Sequence, residues 1–247
     1  MYGGVDACSS GWIWVSLDQS LCVKAWGVER EFSAVMIQLK ACNIVGVDIP
    51  IGLPWHQHPS RKCDADARTL LKPLRHSSVF SSPSRVVIDL WNQSHINFPN
   101  YNLAYYFYSN INFKEIGKKL SRQSFGIVPK IAEVDSYLLS NKMQAQRVLE
   151  IHPEVSFAIL NGRKALGENK RTPPGQRDRV CLLSNNGVKY DSRGIDLQQL
   201  QLMNKQALGA ETDDINDALV GALTVATMTG APAVFDQRGL PMAIIGL

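Results

Sequence analysis

The sequence predicts an α/β fold built on a mixed five-stranded sheet. Three observations predict it: β-rich runs separated by turn residues open the chain, an amphipathic helical stripe follows them, and Gly-Val-Asp ends two apolar segments, at residues 4–6 and 46–48. Short β-rich runs between turns are typical of strands. Apolar residues at i, i+3, i+4 and i+7 are typical of a helix that covers a sheet.

The first fifty residues predict a three-strand antiparallel meander, a helix and a parallel strand. The meander strands are expected at residues 3–6, 12–17 and 21–26. The helix follows from the stripe formed by Phe32, Val35, Met36 and Leu39. Residues 43–48 are the fourth strand, and a helical crossover places it parallel to the first strand.

The rest of the chain predicts an inserted lobe, a fifth strand and a final helix. Residues 52–112 are rich in Pro, Ser, Asn and aromatics, and a structureless loop of that length is unusual. We therefore predict one domain over residues 1–247, with a mostly helical lobe inserted at about 52–142. The fifth strand is expected at 147–152, with Pro153 in the first turn of the next helix. The last helix is expected from Thr212 to about Met228.

Composition and charge limit the class of protein. Hydrophobic residues make up 45% of the chain, which excludes intrinsic disorder, and no apolar run has the roughly 18 residues of a membrane span. Five scattered cysteines argue against a disulfide framework, so a soluble cytoplasmic protein is expected. Residues 50–185 hold 19 basic and 10 acidic residues, whereas the two flanks are net acidic. Such asymmetry suits acids that gather cations and bases that meet an anion, or it is ordinary solvated surface.

Two acids are expected to meet at one edge of the sheet. Asp6 and Asp48 end strands one and four, whose ends lie about 4.8 Å apart if the strands are parallel neighbours. Gly4 and Gly46 precede them on the same face and are expected to leave open space beneath. Carboxylates that close repel unless they share a proton or a cation, and a hard divalent ion with oxygen ligands is the natural occupant at neutral pH. The alternative is that each acid caps a turn.

Further acids come from the fifth strand and the last helix. Glu150 lies on the fifth strand and either joins the site or pairs with an arginine. Asp214 and Asp217 are three residues apart, and Asp213 and Asp217 four, so either pair can share a helical face. Small residues that follow would let this helix approach the sheet closely. The alternative is that the acids favour the helix dipole, with Thr212 as the N-cap.

These features resemble those of a known family. The matching stretches are GVDACSSGW (4–12), VGVDIPIGLP (45–54), RKCDADAR (61–68), SRQSFGIVPKIAEVD (121–135), EIHPEVSFAIL (150–160) and DDINDALVGAL (213–223). They are similar to domain-of-unknown-function family 429, described as predicted nucleases of ribonuclease-H-like fold. The resemblance implies a ribonuclease-H-like five-stranded sheet flanked by helices, with a helical insertion after strand four. Because the first helix, at 31–40, offers only Glu31, the acids resemble those of resolvases more than those of ribonuclease H.

The resemblance also implies an activity and its residues. Asp6, Asp48, Asp214 and Asp217 would be ligands of Mg²⁺ or Mn²⁺ and, with Glu150, catalytic in a nuclease that hydrolyses phosphodiester bonds of DNA or RNA, or of a small phosphate ester. The candidate substrate-binding residues are Arg61, Arg68, Lys130, His152, Lys170, Arg171 and Arg179. His152 would be a general acid–base group or a structural hydrogen-bonding residue.

Other functions stay open at this point. The turn at residues 6–11 also resembles the phosphate-binding hairpin of actin-like phosphotransferases, which would bind ATP. A non-catalytic nucleic-acid-binding protein of the same fold would not need its acids. The aromatic run at residues 105–108 could stack bases or pack the inserted lobe. No membrane association is expected, and a homodimer is compatible with the sequence.

Overall fold

The computed structural model describes residues 1–93, 96–190, 210–228 and 234–247, and it confirms the mixed five-stranded sheet. The strand order is β3-β2-β1-β4-β5, with β1–β2 and β2–β3 antiparallel and β1–β4 and β4–β5 parallel. The strands are β1 (Tyr2–Cys8), β2 (Gly11–Leu17), β3 (Val23–Glu29), β4 (Ile44–Val47) and β5 (Val148–Glu150).

The helices are arranged as the predicted insertion requires. Helix α1 (Phe32–Gln38) connects β3 to β4. Between β4 and β5 lie α2 (Lys62–Leu70), α3 (Arg85–Gln93), α4 (Tyr101–Ile116), α5 (Arg122–Gly126), α6 (Val128–Ser140) and α7 (Lys142–Ala145). After β5 come α8 (Pro153–Leu160), α9 (Pro173–Asn185) and α10 (Thr212–Thr227). Across the described ranges, none of the helices has the length and apolarity to cross a membrane.

Several strand boundaries differ from the sequence prediction. Strand β1 runs to Cys8 instead of ending at Asp6, because residues 7 and 8 still pair with β2. Strand β3 begins at Val23 instead of 21, because Leu21 has a φ of 62° and turns the chain. Strand β5 covers only 148–150 of the predicted 147–152, since its pairing with β4 ends where Val47 faces Glu150. Pro153 begins α8 as predicted.

Hydrophobic layers cover both faces of the sheet. On one face, the predicted stripe of α1 is buried, and Phe32 packs edge-on against Trp12 of β2 and Tyr137 of α6. On the other face, α10 lies across β1, β2 and β4 and buries nearly every residue from 215 to 225. Helix α10 is therefore a central helix, with sheet on one side and α8 and α9 on the other.

The backbone of α10 occupies the space beside Gly4 and Gly46, so the expectation of open space beneath the acids was wrong. A Cβ on Gly4 would lie 1.9 Å from the carbonyl oxygen of Ala218 and 2.4 Å from the amide nitrogen of Ala222. A Cβ on Gly46 would lie 2.8 Å from the carbonyl oxygen of Gly221. The backbone of α10 thus rests directly on the backbone of β1 and β4, and this contact sets the position of the helix.

Hydrogen bonds and close packing hold residues 51–53, which follow β4, in place. The Ile51 N–H donates to Glu150 Oε2 at 2.7 Å, and the Leu53 N–H donates to Asp236 Oδ2 at 3.0 Å. Between them Gly52 adopts a φ of 47°, and a Cβ there would lie 2.4 Å from the Pro241 carbonyl oxygen. The chain immediately after Asp48 is therefore held by both β5 and the C-terminal segment.

Replacing Gly4 by alanine should strongly destabilise the protein. The new Cβ would collide with helix backbone, which cannot move aside as a side chain can, so we expect a loss of about 3 kcal/mol or more in the free energy of unfolding. Urea denaturation measures this value. Gly126→Ala is the matched control, because a Cβ there meets no atom within 4 Å of the described structure, and its effect should stay within about 1 kcal/mol. Equal stability of the two variants would contradict the proposed contact.

Candidate functional site

A cavity of about 260 Å³ opens at the carboxyl ends of β1, β4 and β5. Acids from all four predicted elements line it, together with cationic side chains and residues 78–82, which follow α2. The ionisable residues of its wall are Asp6, Asp48, Arg61, Asp64, Glu150, His152, Lys170, Arg171, Asp213 and Asp214. The structure therefore brings together most of the site residues that the sequence predicts.

Asp6 and Asp48 lie side by side at the sheet edge. Val5 pairs with Val47 in the parallel ladder, so the residues that follow them are adjacent, and the Asp48 N–H donates to the Val5 carbonyl at 3.0 Å. Burial, followed by the charge of Asp48, raises the pKa of Asp6 well above its usual value. Burial and the charge of Asp217 raise the pKa of Asp48 to about 8. These two carboxylates repel each other and need a proton or a cation.

The acids of α10 have different roles. Asp214 accepts a hydrogen bond from the Glu211 N–H at 3.0 Å and completes a capping box, so Glu211 is the N-cap and the expectation of Thr212 was wrong. Asp217 lies deeper and points toward Lys170 instead of lining the cavity. Its Oδ1 is buried and has no hydrogen-bond partner among the described residues. Burial raises the pKa of Asp217 to about 6, even though Lys170 opposes this.

Lys170 supplies a positive charge to the acidic cluster. Its Nζ lies 2.6 Å from Asp217 Oδ2 and 3.3 Å from Asp213 Oδ2. These acids and Asp6 raise the pKa of Lys170 above its ordinary value despite partial burial, so the ammonium stays charged. Lys170 therefore offsets part of the negative charge that the sheet edge and α10 concentrate here.

Arg179 holds the loop that carries Lys170. This side chain is fully buried, donates to Glu154 Oε1 at 2.6 Å and to the Gly175 carbonyl at 3.0 Å, and does not line the cavity. A Cβ on Gly175 would lie 1.9 Å from the Asn169 carbonyl oxygen, so the loop folds tightly against the start of α9. By contrast, Arg171 is largely exposed at the cavity rim, with Nε 3.8 Å from Asp213 Oδ2.

Glu150 belongs to a buried ion-pair network on the other wall. Arg61 binds Glu150 through Nη2, and Arg61 Nη1 lies 3.2 Å from Asp64 Oδ1 and donates to Ser82 Oγ at 2.9 Å. Burial raises the pKa of Glu150 to about 7, although Arg61 acts in the opposite direction. Glu150 also accepts the Ile51 N–H and so holds the segment after Asp48. Its ion pair with Arg61 is the arginine pairing that the sequence left open.

The remaining predicted residues lie in varied places. His152 lines the cavity as the N-cap residue of α8, and burial lowers its pKa, which favours the neutral imidazole. Arg68, in the last turn of α2, lines two other cavities that share wall residues with this one. Lys130 lies outside the cavity: its Nζ is 4.3 Å from the centre of the Trp12 ring and 3.8 Å from Glu133.

Sequence reasoning missed Asp64 and residues 78–82. Asp64 lies one turn after Arg61, and this spacing on a helix was a usable signal for an ion pair. Residues 78–82 carry no such signal, because their sequence is that of an ordinary Ser-rich loop. Tertiary contacts hold them there: Arg68 of α2 donates to the Val79 carbonyl, and α2 packs against α8.

Comparison with known proteins now identifies the chain. It matches the family described as "Protein of unknown function (DUF429)" over residues 4–237. The chain belongs to the DUF429 family. No curated protein and no solved structure matches it significantly. The family description assigns no activity, so a functional inference for this DUF429 protein depends on its site.

The acids of the DUF429 site fit a Mg²⁺ or Mn²⁺ ion that shares its coordination with water and substrate. Within the described residues, no three His, Cys, Asp or Glu side chains form a ready-made metal cage. Mg²⁺ does not require one, because it commonly binds through one or two carboxylates and keeps waters or substrate oxygens. Asp6 and Asp48, adjacent at the sheet edge, offer such a pair, and the unpartnered Oδ1 of Asp217 lies among the charges that act on them.

The metal-free DUF429 protein should lose stability as the pH rises from about 5 to 8. Asp48, Glu150 and Asp217 have raised pKa values when folded, so the folded state holds protons that the unfolded chain has released, and this stabilisation is lost as pH rises through the folded values. Thermal unfolding in EDTA at several pH values measures the trend. Asp48→Asn should flatten it, because the amide cannot ionise. A melting temperature that rises over this range would contradict the proposed crowding of charges.

Replacing Glu150 by alanine should destabilise the DUF429 protein. The change leaves the buried Arg61 guanidinium with Asp64 as its remaining acidic neighbour and removes the acceptor of the Ile51 N–H, so we expect a loss of about 2–3 kcal/mol. Chemical denaturation provides the measurement. Glu115→Ala, whose partner is the exposed His56, is the control and should change stability by less than about 1 kcal/mol. Equal losses of unfolding free energy in the two variants would show that the Arg61 network contributes little to stability.

Proposed function

We propose that this protein is a Mg²⁺- or Mn²⁺-dependent phosphodiester hydrolase that acts on nucleic acid, as its resemblance to ribonuclease-H-like nucleases implies. The observation that carries the proposal is that Asp6 and Asp48 lie side by side where β1 and β4 stop pairing, with Asp217 near enough to raise the pKa of both, beside a cavity whose wall also carries Lys170 and Arg171. Acids that repel in this way gain most from a divalent cation.

In this proposal the sheet-edge carboxylates hold the metal. Asp6 and Asp48 would bind the ion, and Asp217 would contribute negative charge from beneath. When bound, a Mg²⁺ ion lowers the pKa of a coordinated water and stabilises negative charge on phosphate oxygens. The chain's own part is to hold the two acids rigidly, and the close contact of α10 with β1 and β4 supports this.

Cationic side chains would receive the phosphate. Lys170 lines the cavity with its ammonium in contact with Asp217, and Arg171 extends from the rim where it is exposed to solvent. Both side chains line the same cavity as Asp6 and Asp48, so a phosphate bound near these acids would also meet positive charge. Preorganised cations of this kind stabilise charge that develops during phosphodiester cleavage.

We also propose a cytoplasmic location. All five cysteines are free thiols, and two of them are buried. Free thiols persist in reducing compartments and are uncommon in secreted proteins.

Asp6→Asn and Asp48→Asn should each abolish cleavage. Both changes remove a negative charge from the metal pair at nearly constant shape, so we expect kcat to fall at least about 100-fold. The assay uses single-stranded, duplex and branched DNA and RNA, and bis(4-nitrophenyl) phosphate, with Mg²⁺ or Mn²⁺. Asp66→Asn is the control, because Asp66 lies outside the cavity and pairs with the exposed Lys62.

Two results would overturn the proposal. Metal-independent behaviour shared by wild type and both site variants would show that the acids are not catalytic. Binding of ATP together with no cleavage of any nucleic acid would favour the actin-like phosphotransferase instead. Loss of activity in the Asp66→Asn control would show that the assay reports general instability.

A further inference from the structure

A second cavity, of about 390 Å³, adjoins the candidate active site. Val79, Phe80 and Ser81 line both cavities, so this short segment forms the wall between them. The other residues of the second cavity are Arg68, Ser77, Lys119, Ser121, Gln123 and Ser124. A ligand that leaves the active-site cavity across Phe80 would enter this space.

The lining of the second cavity favours an anionic, hydroxyl-rich ligand. Arg68 and Lys119 provide positive charge, and serine and glutamine side chains provide hydrogen-bonding groups. No acidic side chain from the described ranges lines it, in contrast to the first cavity. Phosphate and sugar groups of a nucleic acid match this chemistry.

Phe80 is an exposed aromatic residue in this largely polar wall. Its side chain is 38% exposed, whereas the neighbouring Val79 is buried in the core. Within the described structure, Phe80 makes no ring-to-ring contact, although other aromatic side chains of the inserted lobe pack against one another. An exposed ring beside cations is the arrangement that proteins use to stack an unpaired base.

Arg68 fixes the segment that carries Phe80. Its Nε donates to the Val79 carbonyl at 3.1 Å, and its Nη2 donates to Ser81 Oγ at 3.4 Å. The guanidinium therefore holds the residues on either side of Phe80 against α2. This contact orients the ring at the boundary of the two cavities and places a positive charge next to it.

We propose that the second cavity binds the nucleotide that flanks the cleaved phosphate in a single-stranded nucleic acid. The base stacks on Phe80, and the adjacent phosphate meets Arg68 and Lys119. This inference rests on the proposed function, because the active-site cavity defines where the strand continues. A single strand is specified because a base held in a duplex cannot present its face to the ring.

Equilibrium binding without metal tests this inference apart from catalysis. The probes are fluorescein-labelled oligo-dT and oligo-rU of about twelve nucleotides, in EDTA. Phe80→Ala should weaken binding about 10-fold, and Phe80→Trp should retain it, since base stacking is worth about 1–3 kcal/mol. Lys119→Gln should weaken binding, and the slope of log K against log salt concentration should fall in magnitude by about 1, as expected for the loss of one phosphate contact. Phe113→Ala is the matched control, because Phe113 is an exposed phenylalanine of α4 outside both cavities.

Cleavage then gives a second readout. Phe80→Ala should raise KM for the oligonucleotides, whereas the Phe113→Ala control should leave KM within about 2-fold of wild type. Unchanged oligonucleotide binding in both Phe80→Ala and Lys119→Gln would overturn the inference, and so would equal loss in the Phe113→Ala control. Tighter binding of duplex than of single strands would also overturn it. Binding that needs Phe80, without cleavage by wild type, would support the cavity and refute the hydrolase.

Discussion

The contact of α10 with the glycines of β1 and β4 is the constraint on which the site depends. Side chains at 4 or 46 would hold the helix away from the sheet, because the Ala218 and Gly221 carbonyls occupy the space where a Cβ would lie. With glycine at both positions, Asp217 comes close enough to act on the charges of Asp6 and Asp48. Residues separated by more than 160 positions in the chain thus form one electrostatic unit.

The close approach of these carboxylates is electrostatically unfavourable, and two cationic side chains offset the repulsion. Lys170 places an ammonium between two acids of α10, and Arg61 binds Glu150 and Asp64 on the opposite wall. The two cations differ in kind, because Arg61 is buried within a fixed network whereas Lys170 is partly exposed on a loop. The Arg61 wall is therefore a buried scaffold, whereas the Lys170 side of the cavity is partly open to solvent.

The sequence predicts the fold better than it predicts the site. Strands and helices follow from local periodicity, so the meander, the stripe of α1 and Pro153 at the start of α8 are confirmed. The roles of Glu150, Arg179 and Asp214 depend on partners distant in sequence or on cap geometry, which periodicity does not encode. The open space expected beneath Asp6 and Asp48 was wrong for the same reason, since the small residues of α10 were noted but their exact register on the sheet was not predictable.

The charge asymmetry of the sequence acquires a structural meaning at this cavity. The acids of the sheet edge and of α10 come from the two flanks, whereas Arg61, Lys170 and Arg171 come from the basic middle of the chain. The inserted lobe contributes Arg68 and Lys119 to the adjoining cavity. In the proposed function, the acids of this site would hold the divalent cation and the basic side chains would bind the phosphodiester, so the hydrolase would need both parts of the asymmetry.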